Sequence, residues 1–461
     1  MRFAEKFERV FRSLLPTPFT IAILLTLVTM VLALMFGEFT PGESSFFQLL
    51  DYWQAGFWNT PLLAFAIQMM LILVLGHILA LAPPVNKAID AIISFSHTAG
   101  QAAFWVTFFT MMVGFFNWGL GLIFGAILAR KTGEKFSRQG IPVNYAILGA
   151  SGYAGMMVWH GGISGSAPIK VVEQGHIPEL MSGVMPAETL SQLSPSIPFE
   201  LTIFSSMNLT ASIVLLLALP AMMALLAHNS KSSTALPQNQ FEIKPTDKPH
   251  HIAGAERLDY SRIFSMGVAA LILFYSITLP FRANNGLGFI NLNYLNFTLL
   301  GLCLLFHGRF SHFLKALDDA ISGASGILIQ FPIYFGIMGI MRSSGLIDAM
   351  SAFFISISTT TTFPIFTFIS AGLVNLFVPS GGGQWAVQGP IIIKAAHSLG
   401  VSLPKSIMAL AYGDQITNML QPFWALPLLG ITGLKARDIL PYTLWMLVLG
   451  SVVFISVLLL F

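Results

Sequence analysis

Charge is what this sequence has least of. Only 9% of its 461 residues are Asp, Glu, Lys or Arg, while 55% are hydrophobic. A soluble domain carries roughly 25% charged residues. This much apolar surface cannot be hidden from water, which excludes a soluble globule. Cysteine is almost missing: Cys303 stands alone in an apolar run, which excludes a disulfide framework and a cysteine metal site. No HExxH, Cys/His ligand set, P-loop lysine pattern or GxSxG elbow occurs. A zinc hydrolase, a serine hydrolase and a self-contained ATP-driven pump therefore have no motif to stand on, no cofactor is expected, and no metal ligand set is defined. A formal charge of +3 offers no basic footprint for nucleic acid.

What is present is a series of apolar runs near the ~20 residues that cross a bilayer. A membrane barrel would instead give short alternating segments. The fold class expected is an all-α integral membrane protein, with the lipid bilayer as its surroundings. Nine spans are read at 18–36, 60–82, 143–170, 200–227, 260–280, 289–306, 321–341, 405–432 and 440–461. Two further apolar regions, 101–129 and 361–393, are too long for one ordinary span, and each has a breaker near its middle: NWGLG at 117–121 and VPSGGG at 378–383. They read as re-entrant hairpins, since irregular backbone at membrane depth survives only when protein or a water-filled cavity covers it. The basic, amphipathic N-terminus lacks a small-residue cleavage site and reads as the lead-in to a retained first span. With the N-terminus inside, 18 of the 23 Lys and Arg residues fall on the inside segments, as the positive-inside rule expects.

The chain also resembles itself. KAIDAI at 87–92 matches GLIDAM at 345–350, placing Asp90 on Asp348, and the offset of 258 also puts Gly114 on Gly372 and Asn117 on Asn375. At an offset of 261, Ala150 falls on Ala411 and Gly152 on Gly413. The division expected is a first repeat over 1–228 (hairpin 101–130, broken helix 143–170), a cytoplasmic linker with a connecting helix over 229–288, and a second repeat over 289–461 (hairpin 361–396, broken helix 405–432). The two copies enter the membrane from opposite sides, an arrangement of secondary transporters whose site lies where the repeats meet.

Intramembrane polarity falls on four segments. Candidate substrate-binding residues are Asn117 and Gly119 at the first tip, Ser151 in the first broken span, and Asn375, Ser380, Gly381, Gly382, Gly383 and Gln384 at the second tip. A glycine run bares backbone N–H groups, and the half-helix that follows presents its positive end, which favours an anion. Freed carbonyls in the broken spans offer a cation site. Asp414 is the one acidic residue placed inside a crossing span, and an ionisable group there is a functional candidate by default. With Thr417, Asn418 and His160 it forms the expected coupling-ion set, for H+ or Na+. His160 is equally readable as a hydrogen-bonded core histidine, and Gly and Ser as packing residues. Trp118, Trp159, Trp385 and Phe423 are candidates to line an apolar pocket.

NWGLG at 117–121, GGISGSAP at 161–168, VPSGGGQWAVQGP at 378–390, AYGDQ at 411–415 and QPFWALP at 421–427 resemble the short-chain fatty acid transporter family over almost the full length. The resemblance implies uptake of C4-type monocarboxylates such as butyrate or acetoacetate by a symporter of a bacterial-type inner membrane. It implies further that hairpin tips and broken helices form the substrate and cation sites, and that two copies can assemble as a homodimer. Carried over by position, these sites are Asn117, Ser151, Asn375, Ser380, Thr417 and Asn418. The Ser-Asn-Thr tip triplet of the sodium/dicarboxylate relatives is absent, the tips here reading FNWG and VPSG, so sodium and proton coupling both stay open. Competing readings are the same architecture with another small anion, an amino acid or a peptide as cargo; a channel; and a membrane-embedded enzyme using His160 and Asp414.

Overall fold

A computed structural model describes residues 16–181, 185–191, 193–230, 254–282, 289, 292–321 and 324–461. The N-terminal lead-in and most of the polar loop expected to link the halves lie outside the described residues, as does the side chain of Asp90. Among the described residues all regular structure is helical.

The first half contains α1 (Pro18–Phe36), α2 (Ser45–Phe57), α3 (Thr60–Leu81) and α4 (Pro83–Ile93). Next come α5 (Ala99–Phe116) and α6 (Trp118–Arg138), then the short α7 (Tyr145–Tyr153), α8 (Ser166–Val172), α9 (His176–Met181) and α10 (Ala187–Leu190). After these lie α11 (Ser206–Asn229), α12 (Arg262–Arg282), α13 (Leu292–His307) and α14 (Phe310–Ile321). The second half continues with α15 (Ser325–Ser343), α16 (Leu346–Ser356), α17 (Phe363–Phe377) and α18 (Gly381–Leu399), and ends with α19 (Leu403–Thr417), α20 (Pro422–Thr432) and α21 (Ala436–Leu460).

Six of the nine expected spans are continuous helices long and apolar enough to cross a membrane: α1, α3, α11, α12, α15 and α21. Their starts are chemically marked. The side chains of Thr17, Asn59 and Ser205 accept first-turn N–H groups of α1, α3 and α11, which satisfies donors that lipid could not. The span expected at 289–306 is the 16-residue α13, which bends by 116° into α14. The spans at 143–170 and 405–432 are both broken, the first by a 3-10 turn and an irregular stretch between α7 and α8, the second between α19 and α20.

Both expected hairpins fold back on themselves. Asn117 ends α5 and caps α6, while residues 378–380 separate α17 from α18. The arms differ from expectation: α5, at 18 residues, is about 27 Å long and passes as a span by itself. Length alone therefore does not make the first hairpin re-entrant.

Packing divides the helices. One group sets α1, α2 and α3 against α15, α3 against α13, and α12 against α13. Around the other, α5 packs on α6 and α11, α17 on α19, and α21 on α7, α11 and α19. Outward-facing side chains are apolar: Leu271 and Phe281 of α12 are 72% and 87% exposed, which suits lipid or a partner surface and not water.

One set of contacts corrects the internal register. A Cβ on Gly114 would press on Gly155, and Gly155 sits against Thr110; Gly372 sits against Gly413, and Gly413 against Phe368. Thr110, Gly114 and Gly155 each lie 258 residues before Phe368, Gly372 and Gly413. By contact, Gly413 corresponds to Gly155, not to Gly152 as the shifted alignment had it.

Candidate functional site

Four chain breaks converge at the centre of the second packing group. At the first hairpin tip, the Asn117 side chain accepts the Leu120 N–H at 3.0 Å. The Trp118 N–H donates to the Ser164 hydroxyl at 2.9 Å, and the Ile163 N–H to the Phe115 carbonyl at 2.8 Å. The tip is thereby zipped to the GGIS stretch of the first broken span.

The second tip is zipped to the second broken span in the same manner. The Asn375 amide shares its hydrogens among the Asp414 carbonyl at 2.6 Å, Thr417 Oγ1 at 2.9 Å and Asn418 Oδ1 at 2.9 Å. Gln421 Nε2 donates back to the Asn375 carbonyl. Asn375, Asp414 and Asn418 are all buried.

Two links then cross between the halves. Gln415 Oε1 accepts the backbone N–H of His160 at 2.9 Å and that of Gly161 at 3.3 Å. His160 Nδ1 lies 2.5 Å from Asp414 Oδ2, and the side chains are 0% and 1% exposed. The Ala167 N–H points at His160 Nε2 from 3.1 Å. A backbone N–H can only donate, so Nε2 keeps its lone pair and the ring proton sits on Nδ1, directed at the carboxylate. Among the described residues Asp414 is the one buried Asp or Glu. Its Oδ1 is buried without a hydrogen-bond partner.

The carbonyls freed by the second break are not bare, contrary to the expectation of an open cation cage. Asn375 takes that of Asp414, Tyr153 that of Asn418 at 3.0 Å, and Thr443 that of Met419 at 2.6 Å. Turn N–H groups take those of Gln415, Ile416 and Thr417.

The glycine run opens α18. Ser380 Oγ accepts the Gly383 N–H at 3.2 Å, so the hydroxyl expected to bind an anion is already engaged as the helix cap. A Cβ on Gly381 would lie 2.9 Å from the Trp159 ring, 3.0 Å from His160 Cε1 and 3.1 Å from Ser166 Oγ, whereas one on Gly382 would meet nothing within 4 Å. The second tip thus abuts the first broken span, and bare backbone at Gly382 faces open space. Gly383 backs onto Ser380 and Met338. Gln384 turns inward, donating to the Ala371 carbonyl and to Gln388, and so ties the hairpin arms together.

Not every candidate joins the cluster. Gly119 stays beside Asn117 Oδ1 but otherwise faces Ile72 and Leu292. Ser151 is buried in α7 with its hydroxyl unpartnered. Trp118 approaches Trp424 and Trp159, at ring separations of 5.1 and 6.1 Å, and Trp159 stacks on His160 at 4.5 Å. Phe423 stacks on Phe331 at 4.0 Å. Trp385 leaves the centre, and its indole N–H donates to His176 Nε2 at 3.0 Å. Sequence reading also missed Asn208, which accepts from Tyr412 and donates to the Gly161 carbonyl. A lone Asn in the first turn of an apolar helix carries no periodic signal.

His176 opens α9, outside the apolar spans. Burial, with Lys170 next in effect, pulls its imidazole below the usual 6.5. The neutral ring is the one that accepts from Trp385. Because the folded value is depressed, the stability this bond contributes is present above pH 6.5 and is lost as pH falls through the lowered value. The backbone amides of α9 (Pro178 has none) should therefore lose protection relative to their intrinsic exchange rates at mildly acidic pH, and His176→Gln should remove that dependence. Equal protection at both pH values would contradict it.

These features define a multi-pass α-helical membrane protein built around a buried polar centre where four interrupted helices meet. The family described as "Short chain fatty acid transporter" matches residues 1–461, and the chain belongs to that family. It is 37% identical, over 97% of this chain and 96% of the relative, to an Escherichia coli (strain K12) protein provisionally named a short-chain fatty acid transporter. A Haemophilus influenzae (strain ATCC 51907 / DSM 11121 / KW20 / Rd) protein of the same provisional name is 35% identical over 96% of this chain and 95% of its own. Among solved structures, the YdaH transporter of Alcanivorax borkumensis aligns over 95% of this chain and 97% of its own, with a TM-score of 0.43 and 15% identity. Neisseria gonorrhoeae MtrF, described with a class of antimetabolite efflux pumps, aligns over 98% and 97%, at 0.40 and 14%. The family and its relatives are named for transport and not for catalysis, and this chain is a membrane transporter.

Proposed function

We propose that this transporter imports C4-type monocarboxylates such as butyrate or acetoacetate, in symport with a cation, across a bacterial inner membrane with its N-terminus cytoplasmic. Its two halves act as inverted repeats that exchange inward- and outward-open states, and two copies can pair as a homodimer. Family membership supports the cargo class. The observation that carries the site is the first turn of α18, where Gly381 packs against the Trp159 ring and the bare backbone of Gly382 faces open space. A helix N-terminus favours a carboxylate, and one carboxylate needs no Lys or Arg. Among the described residues Arg130 is the one buried Lys or Arg, and it is held by Glu134 and the Ile431 carbonyl. A C4 tail buries little area, at about 0.8 kcal/mol per CH₂, so affinity should be modest and chain length should be selected by pocket size.

The test is radiolabelled butyrate uptake into proteoliposomes under an imposed proton or sodium gradient, with empty liposomes reporting passive leak of the free acid. Accumulation above the leak under one gradient is expected. No protein-dependent flux under either gradient would remove the cargo and leave the family assignment standing.

A further inference from the structure

We propose that the coupling ion is a proton, and that it is carried on Asp414 Oδ1 within the His160–Asp414 pair. This rests on the transport reading above and names the ion for it.

The geometry restricts where a proton can go. With Nδ1 protonated and Nε2 occupied by the Ala167 N–H, the pair holds one negative charge when Asp414 is ionised. A further proton has two destinations. On Nε2 it would set two N–H donors face to face and break the loop that positions Ser166 and Ala167. On Asp414 Oδ1 it bonds to an oxygen with no partner to lose. The carboxylate takes the proton, its charge is neutralised, and the same O–H bond breaks when the proton leaves on the other side. An isolated charge at membrane depth is costly, so the loaded pair is the form suited to an occluded state.

Among the described residues, no Lys or Arg on the elements packed against α19 is buried beside Asp414 to substitute for that proton. The elements packed on α19 are α17, α18, α21, α8 and the 3-10 turn at 154–157. Their charged groups stand at helix ends: Lys394 and His397 late in α18, Lys405 early in α19, Arg437 and Asp438 early in α21, and Lys170 in α8. All but Lys405 and Asp438, which are half-buried, are exposed. The nearby phenols are otherwise engaged, Tyr412 with Asn208 and Tyr153 with the Asn418 carbonyl, and Tyr442 lies near the start of α21, bonded to Asn144.

Coupling follows from proximity. Gly381 packs on His160, its Cβ position 3.0 Å from Cε1, while the next residue, Gly382, faces open space, so an anion held beside Gly382 would lie one residue along the helix from the contact with the imidazole that Asp414 holds. Ionised Asp414 repels that anion, and protonated Asp414 does not. Proton and substrate therefore each favour the other's binding, by reciprocal linkage.

Two measurements on the purified, full-length protein test this. Infrared difference spectra between neutral and acidic pH should show a buried carboxylic-acid band that is lost in Asp414→Asn. Butyrate titrations in buffers of different ionisation enthalpy should show about one proton taken up per butyrate bound by the wild type. Asp414→Asn should take up none, while still binding butyrate and exchanging it without accumulating it. Absence of the band in wild-type protein overturns the proposal whether or not the variant folds. So does undiminished proton uptake by Asp414→Asn, or butyrate binding that tightens with sodium and takes up no proton. If the band titrates but the wild type binds no butyrate, the proton site stands and the cargo reading fails.

Discussion

Asn375→Ala should lower the melting temperature of the purified protein far more than Asn117→Ala, although the offset of 258 places one asparagine on the other. Asn117 provides one bond, the cap of α6 at Leu120. Losing such a cap costs about 1 kcal/mol. Asn375 closes a ring. Its amide serves the Asp414 carbonyl, Thr417 Oγ1 and Asn418 Oδ1, and its carbonyl receives Gln421. The Asp414 carbonyl belongs to the last turn of α19, where helix carbonyls have lost their N–H partners. Alanine would leave two or three buried acceptors unsatisfied. At about 1–3 kcal/mol for each orphaned group, the loss is on the order of 3–5 kcal/mol. Thermal unfolding in detergent measures both variants. Equal shifts would mean that the ring at Asn375 is not what holds the second hairpin to its broken span.

That inequality shows what kind of information the sequence carried. Spans were legible because lipid demands continuous apolar runs, and six appear where their runs lie. Breaks were legible because proline and glycine interrupt helices for chemical reasons, and all four expected interruptions are present. The register between the halves was legible only as far as Asn117 and Asn375. Beyond the tips, a shift of three residues matched more letters and put Gly152 on Gly413. In a helix rich in Gly and Ala such matches are cheap, and backbone contact selects Gly155. The pairing of His160 with Asp414 joins residues 254 apart, and no periodicity reports a contact between different helices. Each was recognisable alone, as a polar group too costly to sit in lipid. Gln415, Asn208 and Tyr153 gave even less, since a single polar residue on an apolar helix looks the same whether it caps a loop or serves a ligand.

The glycine run allows folding and transport to be separated by neighbouring substitutions. Gly381→Ala should lower both the melting temperature and butyrate uptake, the latter about tenfold, equivalent to roughly 1.4 kcal/mol. Its methyl would stand 2.9 Å from the Trp159 ring and 3.0 Å from His160 Cε1. Those two rings are stacked on each other, so neither yields easily and the tip must move off the first broken span. Gly382→Ala should behave in the opposite way. Its methyl meets nothing within 4 Å, and in the first turn of a 19-residue helix alanine reduces the freedom of the unfolded chain, adding about 0.4–1 kcal/mol of stability. The open space beside Gly382 is where the proposed carboxylate would sit. Gly382→Val should therefore keep the wild-type melting temperature and lose about tenfold in uptake, with longer acids affected more than acetate because the tail has less room. Uptake unchanged in Gly382→Val would move the substrate away from this helix end. Uptake lost together with stability would mean that the space closes in a conformation the chain must also visit, and the same variant assayed for butyrate binding in detergent would separate a blocked site from a blocked movement.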